Sequence, residues 1–377
     1  MISDIENTWE SRIRPQPMFD VLQRAQIQEQ TGQYVARMEI GDTPGFRNEE
    51  IHRLLAQFAQ EPLRYSPSSG EVKLIEAVHL SQWANHSNSE MAVTIAPANF
   101  LITAAMTSVS SIGDIVYLPD PGFPSYVLAA NFLGLRVVFY NSLANFEISI
   151  REKIEETGLI PKLVMINNPS NPIGLAIEGK TFGNLSNYFD ENRIQLILDE
   201  TYVNLVYDEI NPLIDSYSAI RIRSFSKEHC APGLRIGYAL APKKLTKVIS
   251  DLVSLSISCS PKFIQLAVAE YLLSDFSATH TERVRNEMKN RFQILRDIIP
   301  NEHFLSKSNS AFYALLRIEN DLEGFEFLMN ENVSTCPGSK FGHNSANSIR
   351  ISLAGKKENF ENDINMLKNA LDKYSNR

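Results

Sequence analysis

Cysteine is scarce in this chain, with three residues among 377, and long apolar runs are missing. Cys230, Cys259 and Cys336 lie far apart and form neither a CxxC pair nor an even set, which excludes a disulfide-stapled miniprotein and favours a reducing compartment. No stretch approaches the roughly 20 apolar residues of a membrane helix, and the first fifteen residues lack a secretory apolar core. The sequence therefore predicts a cytoplasmic protein with no membrane partner.

Positive charge is also in deficit, because 36 Lys and Arg residues face 44 Asp and Glu residues, a formal net charge of −8. We therefore expect no nucleic-acid partner. The seven histidines show no metal-ligand spacing and no HExxH motif, so we expect no metal site. The remaining composition, with 44% hydrophobic and 21% charged residues, is that of an ordinary globular protein, whose length predicts two lobes.

Short apolar runs alternate with helical patterns through the middle of the chain, which predicts a mostly parallel α/β sheet. The predicted strands are 115–118, 136–140, 163–166, 194–198, 220–224 and 235–240, with helices such as 123–133 and 178–191 between them. A smaller α+β lobe is expected beyond residue 280, joined by the N-terminal segment. Its predicted elements are a long charged helix (281–298), strands at 311–317 and 348–353, and a closing helix (357–374).

Three polar segments each follow one of these strands, about 28 residues apart. They are NNPSNPIG (167–174), Asp199 at the end of its strand, and SFSK (224–227), with Arg235 eight residues beyond Lys227. Taken singly, each has a plain interpretation as a turn, a helix N-cap or a solvated lysine. Because parallel strands end at one edge of their sheet, the three together predict a ligand crevice there.

Together these segments resemble the fold-type-I pyridoxal-phosphate enzymes, and specifically the class I/II aminotransferase family. The resemblance runs from about residue 40 to residue 353, and 224–237 is similar to the family's lysine motif throughout, with Cys230 the unusual position. It implies pyridoxal 5'-phosphate as cofactor, and a smaller α+β domain built from both termini. The predicted domains are an N-terminal arm with part of the small domain (1–45), a large cofactor-binding domain (46–280) and a small C-terminal domain (281–377).

The resemblance also implies the residues that handle the cofactor ring. Lys227 would form the Schiff base with the cofactor aldehyde and would move a proton between carbon atoms. Asp199 would pair with the pyridine nitrogen and keep it protonated. Tyr202 and Asn171 would hydrogen-bond the phenolic oxygen, and the aromatic ring of Phe123 would stack on the pyridine.

At the phosphate end, the resemblance implies Arg235, Ser224 and Ser226 as ligands, because a guanidinium gives charge-assisted and directional bonds. The segment TAAMT (103–107) is expected to open a helix, whose backbone amides at Ala105 and Met106 would bind the same anion. Relatives usually carry Gly where this chain has Ala105.

For the substrate, the resemblance implies that Arg350, in the middle of an apolar strand, binds the α-carboxylate together with Asn171. Gly41, in GDTPGF (41–46), would let the backbone approach the same group. Tyr65, in YSPSSG (65–70), resembles the tyrosine that reaches the phosphate of a neighbouring subunit. This implies a homodimer with shared active sites.

The predicted reaction is transfer of an α-amino group from an amino acid to a 2-oxo acid. One alternative is a cyclase or lyase on the same scaffold, which would eliminate and close a ring on a hydroxylated arginine-type amino acid, like capreomycidine synthase, or cleave a carbon–sulfur bond. Another is a regulator that senses a ligand, although such proteins carry a DNA-binding domain and only about 40 residues precede the family motif here.

The side chain of the substrate stays open. No second arginine is assigned to a distal carboxylate, which weakens a dicarboxylate substrate. The acidic residues Glu6, Glu10 and Asp20 could receive a cationic side chain, or could form a solvated arm. His229, two residues after Lys227, is interpreted as a loop residue.

Overall fold

The computed structural model describes residues 13, 15–43, 46–82, 90–214, 216 and 218–377. The strands are β1 (Ala36–Arg37), β2 (Met91–Ile95), β3 (Ile115–Asp120), β4 (Arg136–Asn141), β5 (Leu163–Asn167), β6 (Gln195–Asp199), β7 (Ile220–Ser224), β8 (Gly237–Pro242), β9 (Tyr313–Arg317), β10 (Val333–Ser334), β11 (Cys336–Pro337) and β12 (Ser348–Ser352). The helices are α1 (Pro17–Gln30), α2 (Glu49–Phe58), α3 (Val72–Gln82), α4 (Ala98–Val109), α5 (Pro124–Phe132), α6 (Phe146–Thr157), α7 (Gly183–Glu191), α8 (Lys243–Ile257), α9 (Lys262–Leu272), α10 (Asp275–Ile298), α11 (Asp321–Asn330) and α12 (Phe360–Ser375).

A seven-stranded sheet in the order β2-β8-β7-β6-β5-β3-β4 forms the large lobe. β8 is antiparallel to both of its neighbours, and the other pairs are parallel. β5 and β7 are buried along their whole length, as expected for strands that helices cover on both faces of a sheet. The prediction of a mostly parallel sheet is confirmed.

The large lobe differs from the predicted elements in a few places. β2 was not predicted. β8 begins at Gly237 rather than at Arg235, because Arg235 has a left-handed φ of 53° that a strand does not accommodate. The predicted helix at 178–191 is a 3₁₀ turn (Gly179–Phe182) followed by α7. None of the helices in the described ranges combines the length and apolar character that crossing a bilayer requires.

The small lobe is built from both ends of the chain, as predicted. Its antiparallel sheet has the order β11-β12-β9, and β1 pairs in parallel with β10 beside it. α1 packs Val21 and Ala25 against Phe325 and Met329 of α11. The predicted boundary at residue 280 lies inside the continuous helix α10, and the exact domain limits stay a prediction.

Candidate active site

A cavity of about 230 Å³ lies at the carboxyl edge of the large sheet, where the small lobe meets it. The large lobe lines it with Ala98, Asn99, Phe123, Tyr126, Asn167, Asn171, Asp199, Thr201, Tyr202, Ser224, Ser226, Lys227 and Arg235; the N-terminal segment and small lobe add Gln16, Met18, Phe19, Gly41, Tyr313 and Arg350. A larger open groove beside α2 and α10 contains none of the predicted site residues. The structure therefore brings most of them together in one place.

Lys227 lies in the turn after β7 and projects into the cavity. Its Nζ donates a hydrogen bond to the carbonyl oxygen of Gly41 at 2.7 Å. A Cβ atom on Gly41 would lie 1.8 Å from the hydroxyl of Tyr313 and 2.9 Å from the ring of Phe312. Gly41 is therefore required by the close approach of its backbone to the cavity wall.

Asp199 ends β6 and is buried beneath the cavity. One carboxylate oxygen accepts from the Tyr126 hydroxyl at 2.7 Å, and the other accepts from the Thr201 hydroxyl at 2.6 Å and from its amide at 3.1 Å. Burial raises the pKa of Asp199, while the bonds from Thr201 and Tyr126 oppose that rise. Asp199 makes no ion pair with any cation in the described part of the chain. The site is suited to a cationic donor such as a protonated ring nitrogen.

Arg350 lies on β12 and is 1% exposed. Its guanidinium is held between the rings of Tyr313 and Phe341, whose centroids lie 4.5 and 4.6 Å from Cζ. Nη1 donates to Oδ1 of Asn171 at 3.3 Å and Nη2 donates to the carbonyl of Glu39. Nε has no hydrogen-bond partner. A buried guanidinium with a free N–H is suited to a carboxylate.

Two serines and Arg235 lie at another side of the cavity. The Ser224 hydroxyl donates to that of Ser226 at 2.9 Å, and the Ser226 amide donates to Ser224 Oγ at 3.1 Å. Arg235 is exposed at this end, and its Nη1 donates to the Pro232 carbonyl at 3.0 Å. These hydroxyls and this guanidinium can bind an anion such as phosphate.

The expectation that 103–107 opens a helix is wrong. α4 begins at Ala98, after Pro97 with φ −55° and ψ 131°, so Ala105 and Met106 lie inside the helix and are buried in the core. Ala98 and Asn99 line the cavity instead. The first amides of a helix have no partner within it, and no side chain caps them here, so they can bind an anion. Pro97 is the sequence signal for this start.

The other predicted residues are distributed as follows. The Tyr202 hydroxyl is buried 3.4 Å from that of Tyr313, and burial raises the pKa of Tyr202 well above its ordinary value. Phe123 is half-buried and packs edge-to-face on Tyr126, 5.7 Å between centroids. Tyr65 is 87% exposed and lies outside the cavity lining.

His229 is buried behind the lysine turn, with Nε2 3.2 Å from Glu228 and its ring stacked on Phe225. It does not line the cavity. Asp20 is exposed, and Glu6 and Glu10 lie outside the described residues.

The sequence missed several residues that line this cavity. Tyr126 and Thr201 hold the carboxylate of Asp199, and both lie in segments that were singled out for a neighbouring residue. Tyr313 was missed because it is an aromatic residue in a predicted apolar strand. The sequence pattern does not distinguish such a residue from one that packs in the hydrophobic core. Among the described residues, no group of three or more His, Cys, Asp or Glu side chains is arranged to hold a metal ion.

These residues fit pyridoxal 5'-phosphate. A lysine amine lies in the same cavity as a buried carboxylate without a cationic partner, and two hydroxyls, an arginine and a helix start lie there as anion ligands. The ring of Phe123 supplies an aromatic wall. Each end of the cavity therefore has a group of the charge or polarity that the cofactor requires.

Comparisons with known proteins agree with this fit. A family model described as aminotransferase class I and II matches residues 38–371. A probable aspartate aminotransferase from Methanocaldococcus jannaschii is 27% identical over 87% of this chain and 90% of its own length. An aromatic-amino-acid aminotransferase from Thermococcus litoralis is 26% identical over 84% and 87%.

Solved structures show the same fold. The aspartate aminotransferase from Thermus thermophilus, solved with maleate, has a TM-score of 0.87 at 21% identity and covers 95% of this chain and 97% of its own. An aromatic aminotransferase from Pyrococcus horikoshii has a TM-score of 0.82 at 22% identity, with 93% and 99% covered. The family match and the aminotransferase relatives favour transamination over elimination or cyclisation. The chain belongs to the class I and II aminotransferases, and it is an aminotransferase that uses pyridoxal 5'-phosphate.

Proposed function

We propose that the cavity at the sheet edge is where the amino group of an amino acid is transferred to a 2-oxo acid. The observation that carries this proposal is that Lys227, Asp199 and Arg350, drawn from both lobes, line one cavity. When bound, pyridoxal 5'-phosphate supplies an aldehyde that captures an amine and a ring that accepts electrons. The protein's residues orient the substrate and move its protons.

Substrate binding is assigned to Arg350. Its unpartnered Nε and its Nη groups offer the donors that a carboxylate accepts in a bidentate way, and Asn171 lies 3.3 Å from Nη1 to fix its orientation. A carboxylate bound there directs the α-carbon of the amino acid toward the other cavity groups. Gly41 lacks a side chain that would meet Tyr313, the residue whose ring stacks on Arg350.

Proton transfer is assigned to Lys227, whose amine would take the proton from the substrate α-carbon and would supply it again to complete the transfer. Asp199 would hold the ring nitrogen in its protonated form, and the bonds from Tyr126 and Thr201 keep the carboxylate in place. Tyr202 would hold the phenolic oxygen of the cofactor by a hydrogen bond, and Phe123 would hold its ring by stacking. Phosphate binding is assigned to Ser224, Ser226, Arg235 and the amides of Ala98 and Asn99, the last two in place of Ala105 and Met106.

A half-reaction tests this proposal. Holoenzyme is mixed with single amino acids, including aspartate and phenylalanine because the relatives' names include both classes, and no 2-oxo acid is added. A transaminase releases one equivalent of 2-oxo acid per site and stops, since its cofactor now carries the amino group. Sustained product formation without an acceptor, with loss of water or another group from the substrate, would overturn the proposal.

We further propose a homodimer in which Tyr65 reaches the phosphate site of the partner chain. The support is that Tyr65 is 87% exposed and Leu63 beside it is 81% exposed, although large side chains of this kind are usually covered. We also propose a cytoplasmic location, which the free thiols of Cys230, Cys259 and Cys336 support. Sedimentation and cell fractionation test these two points.

A further inference from the structure

Tyr313 lies on the same face of the small sheet as Arg350. In the antiparallel pair of β12 and β9, Arg350 is opposite Leu315, and Tyr313 is two residues from Leu315 along its strand. Diagonal neighbours of this kind are within reach of long and aromatic side chains. The Tyr313 ring accordingly lies 4.5 Å from Cζ of Arg350 and supports the guanidinium from one side.

The hydroxyl of Tyr313 extends beyond that contact to the other functional groups. It lies 3.4 Å from the Tyr202 hydroxyl, and it would be 1.8 Å from a Cβ atom on Gly41. The Gly41 carbonyl in turn accepts from Lys227. One buried side chain, 2% exposed, therefore contacts the residues assigned to the carboxylate and to the phenolic oxygen.

We propose that Tyr313 is a positioning residue with two separable parts, a ring that supports Arg350 for carboxylate binding and a hydroxyl that orients Tyr202. The inference rests on the proposed roles of those two residues. The ring acts through Arg350 by stacking, which limits the orientations of the guanidinium plane. The hydroxyl acts through Tyr202 by hydrogen bonding.

The hydrogen-bond part follows from the chemistry of two hydroxyls. In this structure Tyr202 donates to Tyr313, and each hydroxyl proton can rotate to suit its surroundings. When Tyr202 donates to an anionic oxygen in the cavity, Tyr313 can donate to Tyr202. Such chains strengthen each member, and a donor to the deprotonated form of a group lowers the pKa of that group. Loss of the Tyr313 hydroxyl therefore weakens the donation from Tyr202.

Tyr313→Phe tests the hydroxyl in the holoenzyme. The visible absorbance of the lysine-linked cofactor is titrated against pH, and we expect its midpoint to rise by roughly half a pH unit. Tyr202→Phe should raise it further, and the double variant should match Tyr202→Phe, because the hydroxyl acts through Tyr202. Tyr140→Phe, which removes another buried hydroxyl bonded to the Met165 carbonyl, is the matched control and should leave the midpoint unchanged.

Tyr313→Leu tests the ring. We expect an apparent KM for the fastest amino acid of the half-reaction panel about tenfold higher, whereas Tyr313→Phe stays within about twofold. Tyr313→Met, whose unbranched side chain has a similar volume and adapts better to an irregular space, replaces the leucine variant if that variant fails to fold. If the absorbance midpoint moves in Tyr202→Phe but not in Tyr313→Phe, the role of the hydroxyl is overturned. If KM rises equally in Tyr313→Leu and Tyr313→Phe, the separate role of the ring is overturned. Either result would leave the proposed function standing. A wild type without a lysine-linked absorbance band would instead contradict the proposed function.

Discussion

Two oppositely charged residues of the cavity are buried without an ion pair. Asp199 and Arg350 are 5% and 1% exposed, and neither has a charged partner among the described residues. An unpaired charge in a protein interior costs several kcal/mol, and the raised pKa of Asp199 is one response to that cost. A ligand with a cationic nitrogen and a carboxylate would relieve both residues.

Lys227→Ala is the first prediction at this scale. Borohydride should no longer attach the cofactor covalently, while the phosphate ligands still hold it, and transamination should fall by about 10³-fold or more because the proton carrier is gone. Peptide mapping after reduction measures the attachment. Lys243→Ala, which replaces an exposed lysine at the start of α8, is the control. In this variant borohydride should still attach the cofactor to Lys227. If borohydride instead attaches the cofactor to Lys243 or Lys180 in the wild-type protein, Lys227 is not the Schiff-base lysine.

The sequence predicts the place of some cavity residues but not of others. Asn171, Asp199 and Ser224 lie at or just after the ends of apolar strands, and strand order alone predicts that such residues meet at one edge. Tyr313 is the first residue of β9, and only the pairing register with β12 shows which face it occupies. Register depends on contacts between distant segments, so no local pattern could have identified this residue.

At the scale of elements, the start of α4 should contribute to cofactor binding. Ala98→Pro removes one amide donor, and proline suits the first helical position, where Pro97 already has the extended conformation required before it. Loss of a hydrogen bond to an anion of roughly 1.5 kcal/mol should raise the cofactor dissociation constant about tenfold. Fluorescence titration of apoenzyme measures this.

Lys262→Pro is the matched control for that change. Lys262 is the first residue of α9 and also follows a proline in extended conformation, away from the cavity. The Lys262→Pro variant should bind the cofactor as tightly as wild type does. Equal affinity in Ala98→Pro and wild type would remove α4 from the phosphate site.

The contact of α12 with the N-terminal segment should depend on pH. The Tyr34 hydroxyl donates to Asp363 at 2.6 Å, and burial raises the pKa of Asp363 from 3.8 to about 6, although Tyr34 and Arg291 oppose the rise. A raised folded-state pKa gives stability that is present below pH 4 and is lost as the pH rises through 6.

Asp363→Asn keeps an acceptor for Tyr34 but cannot ionise. We expect the variant to be more stable than wild type at pH 7 by roughly 1 kcal/mol, after allowance for solvent screening, and the difference to disappear near pH 4. Urea unfolding at both pH values measures it. If Asp363→Asn is less stable than wild type by the same amount at pH 7 and at pH 4, burial does not destabilise the ionised form of Asp363.

Some elements were predicted better than others for a physical reason. Strands such as β5 are continuous apolar runs because helices cover both faces of the sheet, and the six predicted strands of the large lobe lie within two residues of their observed positions. The start of α4 was misplaced because apolar residues continue from β2 through 95–106 with only Asn99 and Thr103 between them, and Pro97 is the one residue that marks the change. Patterning locates buried segments more reliably than their ends.

At the scale of the whole molecule, the shared active site can be tested by mixing inactive chains. Lys227→Ala and Tyr65→Ala homodimers should each be strongly impaired. In a hybrid dimer one site has both residues intact, so up to about a quarter of wild-type activity should return after subunit exchange. A fully active monomer in sedimentation, or a mixture with no gain over its components, would contradict the shared site.

The parallel pairing of β1 with β10 has a consequence for how the chain is made. Ala36 and Val333 are neighbours in the sheet but roughly 300 residues apart along the chain. At ribosomal speeds of about 5–20 residues per second, β1 emerges some 15–60 s before its partner strand exists. During that time the large lobe can fold as a unit, while the segment that completes the small lobe stays undocked. Docking of α1 and β1 is therefore a late step of folding, since the strand and helix that receive them are made last.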